Sequence, residues 1–211
     1  MLTYIEGGGV YCGPLRLLAL EIFENLNRSG VHCNLLTGQE KHEVPSASHT
    51  ACTVEMINTK VEYDVAVIDE IQMIGNDQRG NGWTRALLGL RANEIHVCGG
   101  LEAFNIVKSL VDSIGDDFEF KKYDRLSTLN IADVSLRGDY SKIQPGDCVV
   151  AFNRQDIFAI KHDIERLTSH KCAVIYGQLP PETRSMQARL FNDDNTGFDV
   201  LVASDAIGTT H

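Results

Sequence analysis

Short apolar runs alternate along this chain with stretches whose apolar residues recur every three or four positions. That alternation is the pattern of strands and helices in a parallel α/β sheet. Gly9-Val10-Tyr11-Cys12 opens the series and is closed by Gly13-Pro14, with Pro14 suited to the first turn of a helix. Leu15, Leu18, Ile22 and Leu26 then keep helical spacing up to Asn27, and Ser29-Gly30 marks the stop. Strands are expected over residues 31–36, 51–54, 63–68, 95–98 and 118–122. Helices are expected over 83–90 and 101–114, with Gly80, Asn81 and Gly82 as a loop before the first of them.

Between Tyr123 and Pro145 the alternation fades into a polar stretch with neither period, which reads as an interdomain connection. It restarts with a strand at 148–152, a helix at 155–167, a strand at 172–176, a helix at 180–191 and a strand at 198–203. The expected organisation is a first domain over residues 1–125, a connection over 126–146 and a second α/β unit over 147–211. No short-period repeat or low-complexity tract interrupts it.

Composition leaves that picture in place and narrows the function classes. With 211 residues, 43% hydrophobic and 23% charged, the chain is ordinary globular material. A net charge of -10 and a pI near 5.1 argue against a generally basic nucleic-acid binder, though not against a local basic groove. No apolar run approaches the length of a membrane span, so no membrane insertion is expected. The N-terminal residues read neither as a secretory signal nor as an Arg-rich transit peptide. The six cysteines, Cys12, Cys33, Cys52, Cys98, Cys148 and Cys172, form no C-x-x-C and sit in or beside apolar runs. Reduced, buried thiols are therefore expected, rather than disulfides or a zinc site.

The chemistry concentrates at Asp64-Val65-Ala66-Val67-Ile68-Asp69-Glu70-Ile71-Gln72, where an apolar strand delivers two adjacent carboxylates to its C-terminal end. Open α/β sheets bind ligands at that end. Asp69 there suits a nucleotide-borne Mg²⁺ and Glu70 an attacking water, while Gln72 would report nucleotide state to another element. Solvated carboxylates and a surface glutamine account for the same residues equally well. No Gly-Lys dipeptide occurs in the chain, so no G-x-x-x-x-G-K-[ST] phosphate loop can be read.

Other strand ends carry weaker hints. Gly13-Pro14-Leu15-Arg16 joins a helix start to a cation, an arrangement that favours phosphate and that also begins many ordinary helices. Thr37-Gly38 and Thr53-Val54-Glu55 would lie on the same sheet edge, where hydroxyls and free N–H groups can follow a phosphate backbone without reading bases. Ser204-Asp205-Ala206-Ile207-Gly208 follows the last strand and reads as a contact for nucleic acid and nucleotide, or as a turn before another helix. Trp83, the single tryptophan, is expected in the core rather than in base stacking. The seven histidines show no ligand spacing. No G-x-G-x-x-G follows a strand, which disfavours a dinucleotide-binding domain.

Taken in order, these segments resemble successive helicase motifs. They are Val10-Tyr11-Cys12-Gly13-Pro14-Leu15-Arg16-Leu17-Leu18-Ala19, Thr37-Gly38-Gln39-Glu40, Thr53-Val54-Glu55-Met56 and Val67-Ile68-Asp69-Glu70-Ile71-Gln72-Met73-Ile74. Trp83-Thr84-Arg85-Ala86-Leu87-Leu88-Gly89-Leu90, His96-Val97-Cys98-Gly99 and Ala173-Val174-Ile175-Tyr176-Gly177-Gln178-Leu179-Pro180-Pro181 extend the match. The chain resembles the mitochondrial ATP-dependent RNA helicases of the suppressor-of-Var-three family, DExH-like superfamily-two enzymes.

The resemblance implies two RecA-like parallel-sheet domains in tandem, with ATP, Mg²⁺ and RNA as ligands. It implies catalytic roles for Asp69 (Mg²⁺), Glu70 (water) and Gln72 (coupling), and ATP contacts from Asp69, Glu70, Gly99, Asp205 and Gly208. It places RNA contacts at Pro14, Arg16, Thr37, Gly38, Thr53 and Ser204, the serine standing where the family usually has threonine. It further implies RNA degradation in the mitochondrial matrix, with the nucleus as an alternative location, beside an exoribonuclease such as polynucleotide phosphorylase. Only nine residues precede Val10, and the chain leaves the family pattern after Gly208. The family's phosphate loop and final arginine motif are thus not among these 211 residues, so both domains are expected to be incomplete and the chain by itself inactive in hydrolysis. The alternative is a non-catalytic RNA- or partner-binding module derived from such a helicase.

Overall fold

The computed structural model describes residues 7–124 and 129–204, apart from the side chain of residue 181. The chain divides between Lys122 and Tyr123 into two compact units. In the first, strands β1 (Gly9–Gly13), β2 (Cys33–Leu36), β3 (Lys41–His42), β4 (His49–Thr53), β5 (Glu62–Ile68) and β6 (Arg91–Val97) form one sheet in the order β3-β2-β4-β1-β5-β6. Every pairing is parallel except β2 with the two-residue β3.

Alternation along the strands explains why helices cover both faces. Val10, Cys12, Cys52, Ala66 and Ile68 point to one side, where Trp83, Ala86 and Leu87 of α2 (Gly80–Gly89) and Val107 and Val111 of α3 (Phe104–Ile114) bury them. Tyr11, Cys33, Ala51, Val65 and Val67 point to the other, against Leu18, Ile22 and Leu26 of α1 (Arg16–Arg28).

The second unit carries a three-stranded parallel sheet, ordered β7 (Cys148–Val150), β9 (Phe198–Ala203), β8 (Lys171–Ile175). Cys172, Val174, Val200 and Val202 meet Ile157 and Ile164 of α4 (Arg154–Leu167), whose start is capped by the Asn153 side chain accepting from the Asp156 N–H at 2.8 Å. Ala173, Ile175, Leu201 and Ala203 face Ala188 and Phe191 of α5 (Pro181–Asn192). Tyr140 and the buried Ile143, from the polar connecting stretch, pack into the same core.

Three sequence expectations need correction. Among the described residues, 118–122 pair with no strand; the rings of Phe118 and Phe120 instead dock on Phe104, centroids 5.8 and 4.9 Å away. Gly80 and Gly82 are not loop residues but begin α2, because the Asn76 side chain and carbonyl accept the N–H groups of Gln78, Arg79 and Gly80 and wind the turn into the helix. A Cβ on Gly80 would stand 2.4 Å from the Ile74 carbonyl oxygen, so close approach and not flexibility calls for glycine there. Cys98 and Cys148 are exposed; Cys12, Cys33, Cys52 and Cys172 are buried, and all six thiols are free.

Candidate functional site

Strand register assembles the first unit's site. Leu36 stands opposite Cys52, Thr53 opposite Gly13, Cys12 opposite Ile68, and Ile68 opposite Val97. The next residues along these strands, Thr37, Pro14, Asp69 and Cys98, therefore emerge with Thr53 in one row at the carboxyl edge of the sheet. Such an edge is where this class of sheet binds ligands. The structure thus brings together Pro14, Arg16, Thr37, Gly38, Thr53, Asp69, Glu70, Gln72 and Gly99. Ser204 follows β9 in the second unit and donates its N–H to the Ile175 carbonyl at 2.9 Å. Asp205 and Gly208 lie outside the described residues.

Asp69 is held on three sides. Its N–H donates to the Cys12 carbonyl at 3.0 Å, and its carbonyl accepts the Trp83 indole N–H at 2.9 Å. Carboxylate Oδ2 accepts the Tyr11 hydroxyl at 2.7 Å, and Oδ1 accepts the Glu70 N–H at 2.9 Å. Burial first, and the Asp69 carboxylate second, push the Tyr11 hydroxyl far above its ordinary range, so it stays protonated and acts as donor. Each carboxylate oxygen has two acceptor sites, so Asp69 keeps capacity for a ligand.

Glu70 turns the chain sharply, with φ 51° and ψ 49° in the left-handed region. That turn exposes its carboxylate, which accepts from the Gln72 side-chain amide. The other end of that amide, Oε1, accepts the Gly100 N–H at 3.0 Å. Gln72 therefore ties Glu70 to the end of β6. The tie depends on Gly99, where a Cβ would stand 2.3 Å from Gln72 Oε1 and 2.8 Å from the Ile71 nitrogen.

The edge toward β2 is quieter. Thr37 is buried, and its hydroxyl accepts the Glu40 N–H at 3.0 Å and the Gln39 N–H at 3.3 Å, closing the turn into β3. Gly38 is open, with no atom within 4 Å of where a Cβ would stand. Arg16 opens α1, a helix with no acidic residue in its first turn, and its buried Nη1 has no acceptor within hydrogen-bond distance among the described residues. A guanidinium with an unmet donor at a helix N-terminus can swing to an anion without breaking an internal bond at that nitrogen.

Tyr11 and the Trp83 indole were not singled out from the sequence as supports for Asp69. Tyr11 lies in an apolar run, and nothing local says that a ring at one strand's centre ends beside a carboxylate 58 residues away. Trp83 itself is fully buried, in the core rather than on the surface where it could stack on a base. Among the described residues no group of three His, Cys, Asp or Glu side chains is placed to hold a metal ion. The Asp69-Glu70 pair instead suits Mg²⁺ that arrives with phosphates, which takes one or two protein carboxylates and keeps several waters.

Comparison with known proteins identifies relatives of the whole chain. A mitochondrial ATP-dependent RNA helicase from rice, SUV3L, is 54% identical over 95% of this chain, which covers 27% of that relative. Mouse SUPV3L1, named as a mitochondrial ATP-dependent RNA helicase, is 50% identical, with 95% of this chain and 26% of that relative covered. The chain thus spans about a quarter of the length of these curated relatives. Among solved structures, yeast Dbp5 bound to RNA and ADP BeF3 superposes with a TM-score of 0.65 at 12% identity, covering 98% of this chain and 61% of that one. Lhr helicase from Mycobacterium smegmatis, bound to ssDNA and AMP-PNP, gives 0.60 at 14% identity, covering 95% and 34%. These likenesses establish the RecA-like helicase fold. Residues 3–123, with Asp69-Glu70-Ile71-Gln72 at their centre, match the DEXQ-box helicase domain of Suv3, and the chain belongs to that family.

Proposed function

We propose that this chain carries the RNA-tracking edge and the carboxylate half of the nucleotide site of an ATP-dependent RNA helicase acting in mitochondrial RNA turnover. The observation that carries the reading is the single row formed by Thr53, Pro14, Asp69 and Cys98, with Arg16 and its unmet donor beside it. Arg16, the α1 N-terminus and the turns at Gly38 and Thr53 would grip phosphates and sugars, so the RNA sequence would matter little. In the second unit, Ser204 is proposed to offer RNA its hydroxyl.

Asp69 fits an Mg²⁺ brought by ATP, which would supply charge neutralisation at the phosphates. Tyr11 and the Glu70 N–H fix the direction of the Asp69 carboxylate. Glu70, exposed and oriented by Gln72, would accept the proton of an attacking water or align that water. Through Gly100, Gln72 would pass a change at Glu70 to the end of β6 and to α3. Gly99 is a further proposed nucleotide contact of the first unit, and Asp205 and Gly208 are proposed contacts of the second.

No G-x-x-x-x-G-K-[ST] segment occurs in these 211 residues, and we propose that the chain alone binds RNA without efficient hydrolysis. The relatives' names place those proteins in mitochondria, and the same location is proposed here, with an exoribonuclease such as polynucleotide phosphorylase as partner.

Fluorescence anisotropy of a labelled single-stranded RNA across a salt series tests the reading. Binding should weaken as salt rises, and Arg16→Ala should lower the slope of log affinity against log salt by about 0.7, one phosphate contact on a single strand. A chain that fails to bind RNA at low salt, or an Arg16→Ala slope equal to wild type, rejects the proposed RNA edge.

A further inference from the structure

One side chain outside the row touches two of its turns at once. Arg79 precedes α2, half-buried, and its Nη2 donates to the Pro14 carbonyl at 2.6 Å and to Glu55 Oε1 at 2.7 Å. Its Nε donates to the same Oε1 at 2.9 Å. These partners lie 65 and 24 residues away, so this is not a local helix-surface pair. The guanidinium carbon sits 5.3 Å from the centroid of the Trp83 ring, and the Trp83 indole N–H in turn donates to the Asp69 carbonyl. From the other side, Arg85 Nη2 donates to the Glu55 and Ile57 carbonyls at 3.0 and 2.9 Å.

Pro14 and Glu55 belong to the turns after β1 and β4, whose last residues stand in register. An exposed ion pair alone contributes little to stability. Here one planar fork over an indole joins a carbonyl of one turn to a carboxylate of the next, a geometry an ammonium cannot reproduce. We propose that Arg79 is a positioning residue: it clasps the Pro14 and Glu55 turns together over Trp83, setting their spacing for consecutive RNA phosphates and linking both to Asp69. The RNA part rests on the proposed function above; the clasp of the two turns does not.

Two substitutions on opposite sides of the clasp separate position from charge. Arg79→Lys keeps the charge, so charge alone predicts unchanged RNA affinity. Glu55→Gln removes a negative charge from the RNA edge, so charge alone predicts tighter binding. The clasp predicts that both weaken binding of a fluorescein-labelled oligouridylate, on the order of fivefold, the low end of coupling between sites. Amide exchange without RNA should quicken at Leu15–Leu17 and Val54–Met56 in both variants, with β1 and β5 amides unchanged.

Wild-type affinity in Arg79→Lys, or tighter binding in Glu55→Gln, overturns the proposal. A wild-type chain that binds no RNA removes the RNA reading, and the exchange data then decide the clasp alone: unchanged turns reject it, quickened turns support it. If one variant fails to fold by circular dichroism, the other still decides.

Discussion

The Tyr11 hydroxyl donates to the carboxylate of Asp69 across neighbouring strands, at 2.7 Å, from a ring that is itself buried. Tyr11→Phe keeps the packing and removes that one donor. The variant should lose about 1.5–3 kcal/mol of stability, the net worth of a hydrogen bond to a charged group, in urea unfolding followed by Trp83 emission. An unchanged midpoint would mean the hydroxyl does not orient Asp69.

Trp83 is the only tryptophan and is fully buried, so its emission reports this site without competition. The emission maximum should be blue-shifted, acrylamide should quench it weakly, and saturating RNA should leave it in place, because a buried indole cannot stack on a base. Strong quenching by RNA would place the indole on the RNA path.

Gly99→Ala sets a methyl group where Gln72 Oε1 and the Ile71 nitrogen already stand. The Gln72 tie to Gly100 must open or the backbone must move, at a cost of about 1–3 kcal/mol. Thermal unfolding checks the loss. Gln72→Ala in the same background should recover part of it, since the obstructing amide is then gone.

Acid should loosen the second unit through two carboxylates. Burial opposes ionisation of Asp199, yet the His170 ring at 2.6 Å and the Lys171 N–H hold its carboxyl below the ordinary range. Burial likewise opposes Glu165, which the Cys172 N–H and Lys161 nevertheless hold low. A carboxylate depressed in the folded state stabilises it above the unfolded pKa, and that stability is lost as pH falls through the folded value. Stability should therefore hold at neutral pH and fall below about pH 4, and Asp199→Asn should flatten that fall in a series of unfolding curves.

Much of the sheet was legible because period two and period 3.6 are local properties of the chain. The strands around Val10, Ala51, Ala66 and Val200 and helices α1, α3 and α4 follow from them directly. The row of strand ends was also legible, since parallel strands must all point their carboxyl ends the same way. Residues 118–122 misled because alternation shows which side chains are apolar, not whether a neighbouring strand exists to pair with. Lys41–His42 is too short and polar to show a period, and its pairing with Leu35 and Leu36 is fixed by the Thr37 turn. The supports of the site, Tyr11, Trp83 and Arg79, act across long sequence separations through a hydroxyl, an indole N–H and a guanidinium. Such contacts leave no trace in a hydropathy pattern.

Position 70 carries a left-handed backbone under a side chain that has a Cβ. Such a turn costs a non-glycine residue roughly 1–2 kcal/mol, so folding alone would be better served by glycine. Glu70→Gly should accordingly raise the melting temperature while removing the one exposed carboxylate that Gln72 orients. At this residue, then, backbone stability and the hydrolytic role proposed above make opposite demands on the chain.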